Sequence, residues 1–272
     1  MKVVENFSTT FLFWLRGGRM EKNPNNFSQW FPKLKEGKFA IEKAGLKLPK
    51  SWWFDVPEIV QRSWFAHDSG MKYEEFNKYI SDFVNSISFV FDECPFVFNK
   101  NGTFSDKFDF NNCTSTKDTV KNHLMNINYS ALCLSAGGID EVVFRQVIPF
   151  DPHVTPTIYQ GLPLRPEFRV FYDFDTNKVL YIHNYWDHDY CYESISRNST
   201  DKIVWNAHHE YIDKMYEEHK KDAVNKIDVA MLGVSMIGKW SIDVLLDEWD
   251  NYWLIDMAKA ENSAYWNPEL VK

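Results

Sequence analysis

Near the C-terminus, two runs of strand-forming apolar residues are each interrupted by a single carboxylate. The runs are Trp240–Leu246 and Tyr252–Met257, and the polar turn Asp247–Asn251 joins them into a predicted antiparallel hairpin. A carboxylate on an apolar strand, here Asp243 or Asp256, is costly unless it is paired, hydrogen-bonded or bound to a cation. Side by side on neighbouring strands, the two carboxylates can hold Mg²⁺, which prefers oxygen ligands. The alternative is that both face solvent across a half-exposed sheet.

A second strand signal, Glu167–Phe171 (EFRVF), carries an arginine between acidic and aromatic neighbours. The period of two places Glu167, Arg169 and Phe171 on one face of the strand. The planar fork of an arginine can clamp phosphate oxygens. Equally, Arg169 can pair with a neighbouring carboxylate in a surface ladder, and the sequence leaves both interpretations open.

The segment Phe96–Phe110 places two lysines around a glycine-containing turn. Lys100 follows a strand signal, and Lys107 lies between aromatic residues. As compact point charges, lysines beside such a turn can reach triphosphate oxygens. Two solvated loop lysines are the plainer interpretation of the same pattern.

Along the rest of the chain, hairpin signals outnumber strand–helix–strand units, which predicts an α+β fold. Strands are predicted at residues 96–98, 141–148, 167–174 and 178–183, and helices at about 40–44, 72–87 and 202–226. Neither GxxxxGK[ST] nor GxGxxG occurs, so the sequence excludes P-loop and Rossmann nucleotide sites.

Composition narrows the class of protein. Among 272 residues, 30 are Lys or Arg and 38 are Asp or Glu, and the net charge of −8 argues against a uniformly basic nucleic-acid coat. Aromatic residues reach 17%, which predicts a heavy core and a cleft lined with rings.

The spacing of the cysteines and the hydropathy of the chain indicate the cellular compartment in which the protein is expected. Cys94, Cys113, Cys133 and Cys191 form no CxxC pair, which favours an intracellular protein with free thiols over a zinc or redox motif. The apolar run Phe11–Leu15 is too short for a signal peptide, and no stretch approaches the roughly 20 apolar residues of a membrane span. We therefore expect a soluble, cytoplasmic protein without membrane partners.

The order of these motifs resembles the ATP-grasp superfamily over roughly residues 90 to 262. The lysine loop comes first, then VVFRQVI, then EFRVF, then the closing pair SIDV and LIDM. The residues within these motifs resemble those of the compact branch of the superfamily. That branch includes the eukaryotic cell-division-cycle chaperone for translation initiation factor assembly and small phage and bacterial ATP-grasp proteins. The resemblance implies two α+β lobes with the nucleotide cleft between antiparallel sheets. It divides the chain into an N-terminal mixed segment for substrate or partner (1–90), a small lobe (91–148) and a large lobe (149–272).

The resemblance also implies site roles. Lys100 would contact the α-phosphate, and Lys107 would be the basic residue on the loop over the triphosphate. Arg169 would clamp phosphate, with Glu167 orienting it, and Asp243 with Asp256 would hold Mg²⁺. The hinge that pairs with the adenine edge would comprise Arg145, Gln146, Val147 and Ile148.

One position departs from the family pattern. Many members carry Asn two residues after the final acidic residue as a second metal ligand, and Ala258 stands there in this chain. Glu261 or Asn262 could substitute from the following loop. Metal stoichiometry and catalytic competence depend on this position.

Two histidine-rich stretches suggest alternatives. His183–Cys191 (HNYWDHDYC) has transition-metal ligand types but no recognised spacing. In the ATP-grasp interpretation it continues the EFRVF hairpin, with His183 or Asn184 facing the nucleotide cleft. His208–His219 (HHEYIDKMYEEH) lacks the HExxH pattern because Asp213 replaces the second histidine, and it reads as an exposed amphipathic helix.

With ATP and Mg²⁺ as cofactors, the leading prediction is a ligase that joins a carboxylate, through an acyl phosphate, to an amine, with a peptide or protein end as a candidate substrate. The first alternative is an ATP-binding assembly factor or chaperone with little ligase activity. The second is a single-stranded nucleic-acid-binding or -modifying protein with aromatic stacking platforms, against which the net charge weighs.

Overall fold

The computed structural model of the chain describes residues 22–64, 70–134 and 140–271. These residues fall into two compact units. Among the described residues, the first unit draws on 22–26, 52–64, 70–106, 112–134 and 140–144. The second draws on 27–51, 107–111 and 145–271. The apolar run at residues 11–15 lies outside the described residues. The division proposed from the resemblance, at residues 90 and 148, stays a prediction.

Helices occur in both units. In chain order the α-helices of the described residues are α1 (Phe27–Glu36), α2 (Lys38–Lys43), α3 (Glu58–Ser63), α4 (Tyr73–Ile87), α5 (Val90–Glu93), α6 (Val120–Cys133), α7 (His188–Ile195) and α8 (Ser199–Met231). Short 3₁₀ segments cover Lys107–Cys113, Ala260–Asn262 and Pro268–Val271. None of these helices combines the length and apolar character that a bilayer crossing requires.

The strands form mainly antiparallel pairs. They are β1 (Leu46–Lys47), β2 (Ser51–Asp55), β3 (Val97–Asn101), β4 (Thr114–Ser115), β5 (Glu141–Gln146), β6 (Thr157–Ile158), β7 (Leu162–Pro163), β8 (Glu167–Asp173), β9 (Lys178–Asn184), β10 (Lys239–Leu246) and β11 (Tyr252–Lys259). One sheet has the order β2-β5-β3-β4, a second has the order β1-β11-β10-β8-β9, and β6 pairs with β7. The predicted α+β class is confirmed.

The five-stranded sheet of the second unit is built from the two hairpins that the sequence predicts. β8 pairs with β9 and β10 pairs with β11, both antiparallel. β10 also lies antiparallel to β8, so the hairpins join edge to edge. Because both faces of the central strands are covered, β8 and β10 are buried along almost their whole length.

Helix α8 is longer than predicted at both ends. Asn198 caps its N-terminus, since the side chain accepts hydrogen bonds from the amides of Thr200 and Asp201. Its buried face includes Trp205, which belongs to a core cluster with Trp186 and Ile212. The rest of its surface is exposed and mainly polar, although Ile203 and Val229 are also exposed.

The first unit has its own core. Helix α4 follows the predicted span, and its buried residues recur at helical spacing: Ile80, Phe83, Val84 and Ile87. They belong to one cluster with Val97 of β3 and with Val142 and Phe144 of β5. The four-stranded sheet and this helix therefore share one apolar layer.

Five of the eight α-helices of the described residues were not predicted: α1, α3, α5, α6 and α7. Helix α1 occupies a stretch for which no element was predicted, and Trp30 in it is only 1% exposed, whereas Phe39 after it is 78% exposed. Helix α6 gave no clear periodicity. Helix α7 lies in the stretch that was expected to continue the EFRVF hairpin, and Asp187 caps it by accepting a hydrogen bond from the Tyr190 amide.

Candidate functional site

One row of polar side chains crosses four strands of the five-stranded sheet. The strand register aligns Asp256 with Asp243, Asp243 with Arg169, and Arg169 with His183. Directly opposed residues on antiparallel strands place their side chains on the same face of a sheet. The alternation in the sequence therefore brings together, on one face, four of the residues predicted to serve the site.

The centre of this row is a bidentate ion pair between Arg169 and Asp243. The Nε atom of Arg169 donates to Oδ1 of Asp243 at 2.8 Å, and Nη2 donates to Oδ2 at 2.7 Å. The two side chains are only 13% and 8% exposed. Arg169 does pair with a carboxylate, as one interpretation of the sequence held, but the pair is buried rather than on the surface. Its predicted phosphate-clamping role stays a prediction.

The two aspartates fit a magnesium site only in combination with a phosphate ligand. Both oxygens of Asp243 accept bonds from Arg169, and Asp256 accepts a bond from the Met257 amide at 3.1 Å. Glu261 and Asn262 are both exposed in the adjacent 3₁₀ turn. Among the described residues, no three His, Cys, Asp or Glu side chains converge as a metal site. Mg²⁺ is commonly held by one or two carboxylates plus substrate phosphates, and this arrangement suits that mode.

A second cation, Lys107, contacts the same tyrosine ring as Arg169, that of Tyr185. Its ammonium group donates a hydrogen bond to the Tyr185 hydroxyl and lies 4.4 Å from the ring centroid. The guanidinium carbon of Arg169 lies 4.8 Å from the same centroid. Burial lowers the pKa of Lys107, but Tyr185 and Glu167 outweigh burial and raise it, so Lys107 carries its charge at neutral pH.

Glu167 lies buried beside these groups at the start of β8. Burial and the neighbouring charge of Asp243 raise its pKa to about 8, although Lys107 and Arg169 act in the opposite direction. The carboxyl group therefore holds its proton over much of the neutral range. Its main-chain carbonyl accepts a hydrogen bond from the Tyr185 amide at 3.0 Å, which ties Tyr185 to β8.

These side chains border a pocket of about 210 Å³ within the second unit. Both cations line it, and most of its other walls are aromatic. The lining residues are Lys107, Phe108, Tyr159, Arg169, Tyr185, Trp186, Tyr190, Cys191, Ser194, Ala264 and Tyr265. This is the ring-lined cleft that the aromatic content predicts.

Two pocket tyrosines have strained backbones. Tyr159 has φ of 49° and Tyr265 has φ of 67°, in the left-handed region that bulky residues rarely adopt. Tyr265 is held there by a stack on His183, with centroids 4.1 Å apart, and by a hydrogen bond from its hydroxyl to the Tyr185 carbonyl at 3.1 Å. Strain of this kind concentrates at ligand sites, where the surrounding structure enforces it.

His183 has a supporting position rather than a place in the pocket wall. Its ring backs Tyr265, and its Nδ1 atom lies 2.9 Å from the Asn184 carbonyl oxygen. The predicted contact of His183 with a nucleotide stays a prediction.

The remaining predicted residues are not among those that line this pocket. Lys100 is buried in β3 of the first unit. At the predicted hinge, Arg145 donates to the Ile255 carbonyl, and the Gln146 amide donates to the Lys50 carbonyl at 2.7 Å. Their nucleotide roles, and that of Val147, stay predictions.

The hinge residue Ile148 already has a protein partner. Its carbonyl accepts from Nη2 of Arg165 at 3.0 Å, and the next carbonyl, that of Pro149, accepts from Nη1 at 3.1 Å. Each carbonyl oxygen has a second lone pair, so the contact leaves acceptor capacity for a ligand.

Sequence reasoning missed the residues that shape the pocket. Tyr185, Trp186, Tyr190 and Cys191 all come from the stretch weighed as a transition-metal site, and they line the pocket instead. The available signal was the run of rings directly after the EFRVF hairpin. Tyr265 had no local signal, because a loop after the last strand brings it back over β9.

Comparison with solved structures returns ATP-grasp ligases. D-alanyl-alanine synthetase A from Vibrio cholerae matches at 10% identity with a TM-score of 0.36, covering 82% of this chain and 52% of that chain. A RiPP-associated ATP-grasp ligase from Chryseobacterium gregarium, in complex with ADP and leader and core peptide, matches at 13% identity with a TM-score of 0.32, covering 82% and 50%. An N5-carboxyaminoimidazole ribonucleotide synthetase matches at 15% identity with a TM-score of 0.35, covering 87% and 45%.

These solved structures belong to the superfamily whose motif order the sequence resembles. The chain spans about half the length of the solved structures it matches. With TM-scores below 0.5, they carry no argument about activity, which depends on the chain's own residues. No protein-family model and no curated protein matches the sequence.

Proposed function

We propose that this chain is an ATP- and Mg²⁺-dependent ligase of the ATP-grasp type that joins a carboxylate to an amine. The observation that carries the proposal is the convergence of Lys107 and Arg169 on one pocket, in line with Asp243 and Asp256. Paired cations and carboxylates in this order suit a phosphorylated ligand and a divalent ion together. The ligase step itself follows from the family resemblance.

The protein's own residues would act mainly by positioning and by electrostatics. Lys107 and Arg169 would offset the charge of the terminal phosphate and align it with the attacking oxygen. The charge pair with Asp243 would keep the Arg169 guanidinium in a fixed orientation. Asp256, with Asp243, would hold Mg²⁺, which when bound neutralises phosphate charge.

The proposed reaction has two steps. A carboxylate oxygen attacks the γ-phosphorus, the bond between that phosphorus and the β–γ bridging oxygen breaks, and ADP leaves with the electron pair. The amine nitrogen then attacks the acyl carbon, the carbon–oxygen bond to phosphate breaks, and the amine loses a proton. The products are an amide, ADP and inorganic phosphate.

Other assignments in the proposal come from the resemblance alone. Lys100 would contact the α-phosphate, and the main chain from Arg145 to Ile148 would meet the adenine edge. Glu167 would orient Arg169, and His183 would face the nucleotide cleft. The neighbours' complexes with ADP and peptide are compatible with a nucleotide and a peptide-like partner for this chain as well.

A thermal-shift titration of the full chain with ATP, with and without Mg²⁺, tests nucleotide binding, and GTP is the control nucleotide. A ligand at about 100 times its Kd adds about 2.7 kcal/mol to the free energy of unfolding, so a Mg²⁺-dependent rise in Tm is expected for ATP. No rise with any nucleotide would overturn the proposal.

Substitution Asp256→Ala tests the metal assignment. We expect it to abolish Mg²⁺-dependent ATP turnover, measured as ADP release, because it removes one of the two carboxylates. The matched control is Asp118→Ala, which removes an exposed carboxylate of the first unit. Full turnover in Asp256→Ala would remove the metal assignment.

A second function, an ATP-binding assembly factor, is favoured by one observation. Ala258, opposite Ser241 on β10, provides no side-chain oxygen where many family members have a second metal ligand. Weak chemistry with retained nucleotide binding would follow. Tight ATP binding, negligible turnover with any small acceptor, and co-purification of one specific protein would together favour this function.

A further inference from the structure

We propose that the pocket lined by Lys107, Arg169, Tyr185, Tyr190 and Tyr265 binds a small carboxylic acid that carries an aromatic ring. The identification of this acid as the ligase acceptor depends on the proposed function, whereas its binding does not. Three independent properties of the pocket support the ligand class: its size, its unused cationic donors and its walls.

The size of the pocket favours a one-ring molecule. Its volume of about 210 Å³ lies below the range of roughly 300–1,000 Å³ that is usual for drug-sized ligands. A whole nucleoside triphosphate is larger than this pocket. The second unit by itself therefore provides room for a small acid beside the two cations.

The cations retain hydrogen-bond donors for an anion. A guanidinium has five N–H donors, and within the described residues Arg169 uses three of them, two on Asp243 and one, at 3.5 Å, on the Ala264 carbonyl. An ammonium has three donors, and Lys107 uses one on Tyr185.

The charge that Lys107 brings is not fully matched by a partner. Asp243 neutralises Arg169, whereas the hydrogen-bond partner of Lys107 is the hydroxyl of Tyr185 rather than a carboxylate. An incoming carboxylate would thus meet two donors on each cation and would compensate the ammonium charge.

The walls favour a flat ring attached to that carboxylate. Both cations lie within 5 Å of the Tyr185 ring centroid, and Tyr190 lies tilted against Tyr265 with centroids 4.8 Å apart. On the other side, Phe108 meets Tyr159 edge to face at 5.1 Å. Rings in offset or edge-to-face contact attract each other beyond the effect of burial, so an aromatic ring gains over a saturated ring of similar size.

The test is calorimetric titration of the full chain with three probes that differ in one property each: benzoate, benzamide and cyclohexanecarboxylate. We expect benzoate to bind at least about tenfold more tightly than neutral benzamide, because charge-assisted bonds are lost in the amide. Benzoate should also exceed cyclohexanecarboxylate by about two- to tenfold. Equal affinities for benzoate and benzamide, or no binding of benzoate, would overturn the inference.

Two pocket variants, each paired with a control at an exposed residue of α8, test whether the probes bind in this pocket. Lys107→Met should remove the preference for benzoate over benzamide, while Lys202→Met, which removes an exposed lysine of α8, should keep it. Tyr190→Leu should remove the preference for the aromatic ring. Since Tyr190 is 63% exposed, this variant is expected to fold, and its control is Tyr211→Leu at the exposed Tyr211 of α8. Unchanged preferences in both pocket variants would place the benzoate elsewhere and contradict the inference.

The two proposals fail in different ways. A preference for benzoate without any response to ATP would retain the aromatic-acid pocket and remove the ligase. A Mg²⁺-dependent response to ATP without any preference among the three probes would retain the nucleotide site and remove the aromatic-acid pocket.

Discussion

At the scale of single residues, the central feature is a buried arginine whose charge is matched on the neighbouring strand. Arg169 and Asp243 face each other in register on β8 and β10, and both are nearly inaccessible to water. Because desolvating either charge alone is costly, each side chain depends on the other. The same pair keeps the guanidinium plane fixed toward the pocket.

Substitution Asp243→Asn should therefore destabilise the fold itself. Breaking a buried pair on one side typically costs about 3–5 kcal/mol, because the other charge stays buried without compensation. Urea unfolding measures the loss, and it should be present in EDTA as well as in Mg²⁺. A loss seen only with Mg²⁺ would contradict the structural role and would make Asp243 a metal ligand first.

The control for this measurement is an ion pair with the same chemistry in water. Lys214 and Glu218 lie one turn apart on α8, 3.7 Å from each other, and both are well exposed. Exposed pairs contribute about 0–1 kcal/mol, so Glu218→Gln should change stability little. A comparable loss in both variants would indicate that burial is not the cause.

The sequence predicts some site residues and not others. The difference depends on how far apart in the chain the cooperating groups lie. Asp243, Asp256 and Arg169 stand out because each is polar within an apolar strand, and strand period two predicts a shared face. Tyr185 and Tyr265 do not stand out, because 80 residues separate the hydroxyl of one from the carbonyl of the other. The pairing of Arg169 with Asp243, rather than with a ligand, also depends on strand order, which hairpin signals leave open.

At the scale of secondary-structure elements, two glycines allow α2 to approach the C-terminal end of α8. A Cβ atom on Gly233 would lie 2.4 Å from the Cβ of Ala40, and one on Gly37 would lie 2.7 Å from the Gly233 carbonyl oxygen. Such distances are shorter than any van der Waals contact. This close contact between α2 and the end of α8 packs the segment containing α1, α2 and β1 against the rest of the second unit.

Substitution Gly233→Ala should destabilise the second unit by about 1–3 kcal/mol, because the added methyl overpacks the contact with Ala40. Chemical unfolding followed by tryptophan fluorescence measures it. The neighbouring variant Leu232→Ala is the control: Leu232 is 66% exposed, and its truncation should stay within about 0.5 kcal/mol. Equal stability of Gly233→Ala and the parent chain would show that the helices separate without cost.

The elements themselves were predictable to different degrees for physical reasons. Both hairpins of the five-stranded sheet follow from alternation and from polar turns such as Asp175-Thr176-Asn177, where Asn177 adopts φ of 54°. Helix α1 was missed because its asparagine-rich start and Pro32 signal a turn, while tertiary packing buries Trp30 and Leu34 and favours the helix. The free energy gained by burying these large apolar side chains outweighs the local preference for a turn.

At the scale of the whole molecule, the aromatic content and the acidic charge lead to opposite expectations about nucleic acid. Aromatic residues are potential stacking platforms, and the chain has 46 of them, as 11 Trp, 13 Tyr and 22 Phe. Of the largest, Trp30 and Trp205 are fully buried, whereas Trp249 is 56% exposed, and other rings line the pocket of the second unit. A net charge of −8 supplies no general attraction for a phosphate backbone.

We therefore expect no measurable binding of a fluorescein-labelled dT₂₀ oligonucleotide at 150 mM NaCl, with any Kd weaker than about 100 μM, the weak end of ordinary non-specific binding. Fluorescence polarisation at 50 and 200 mM NaCl makes the test decisive, because backbone binding weakens steeply with salt whereas an accidental dye contact does not. A micromolar Kd that falls steeply over this interval would reveal a basic groove and contradict the expectation. Competition by ATP would then show where the oligonucleotide binds. Displacement by ATP would place the oligonucleotide at Lys107 and Arg169, where the cations converge. No displacement would place it on a separate surface.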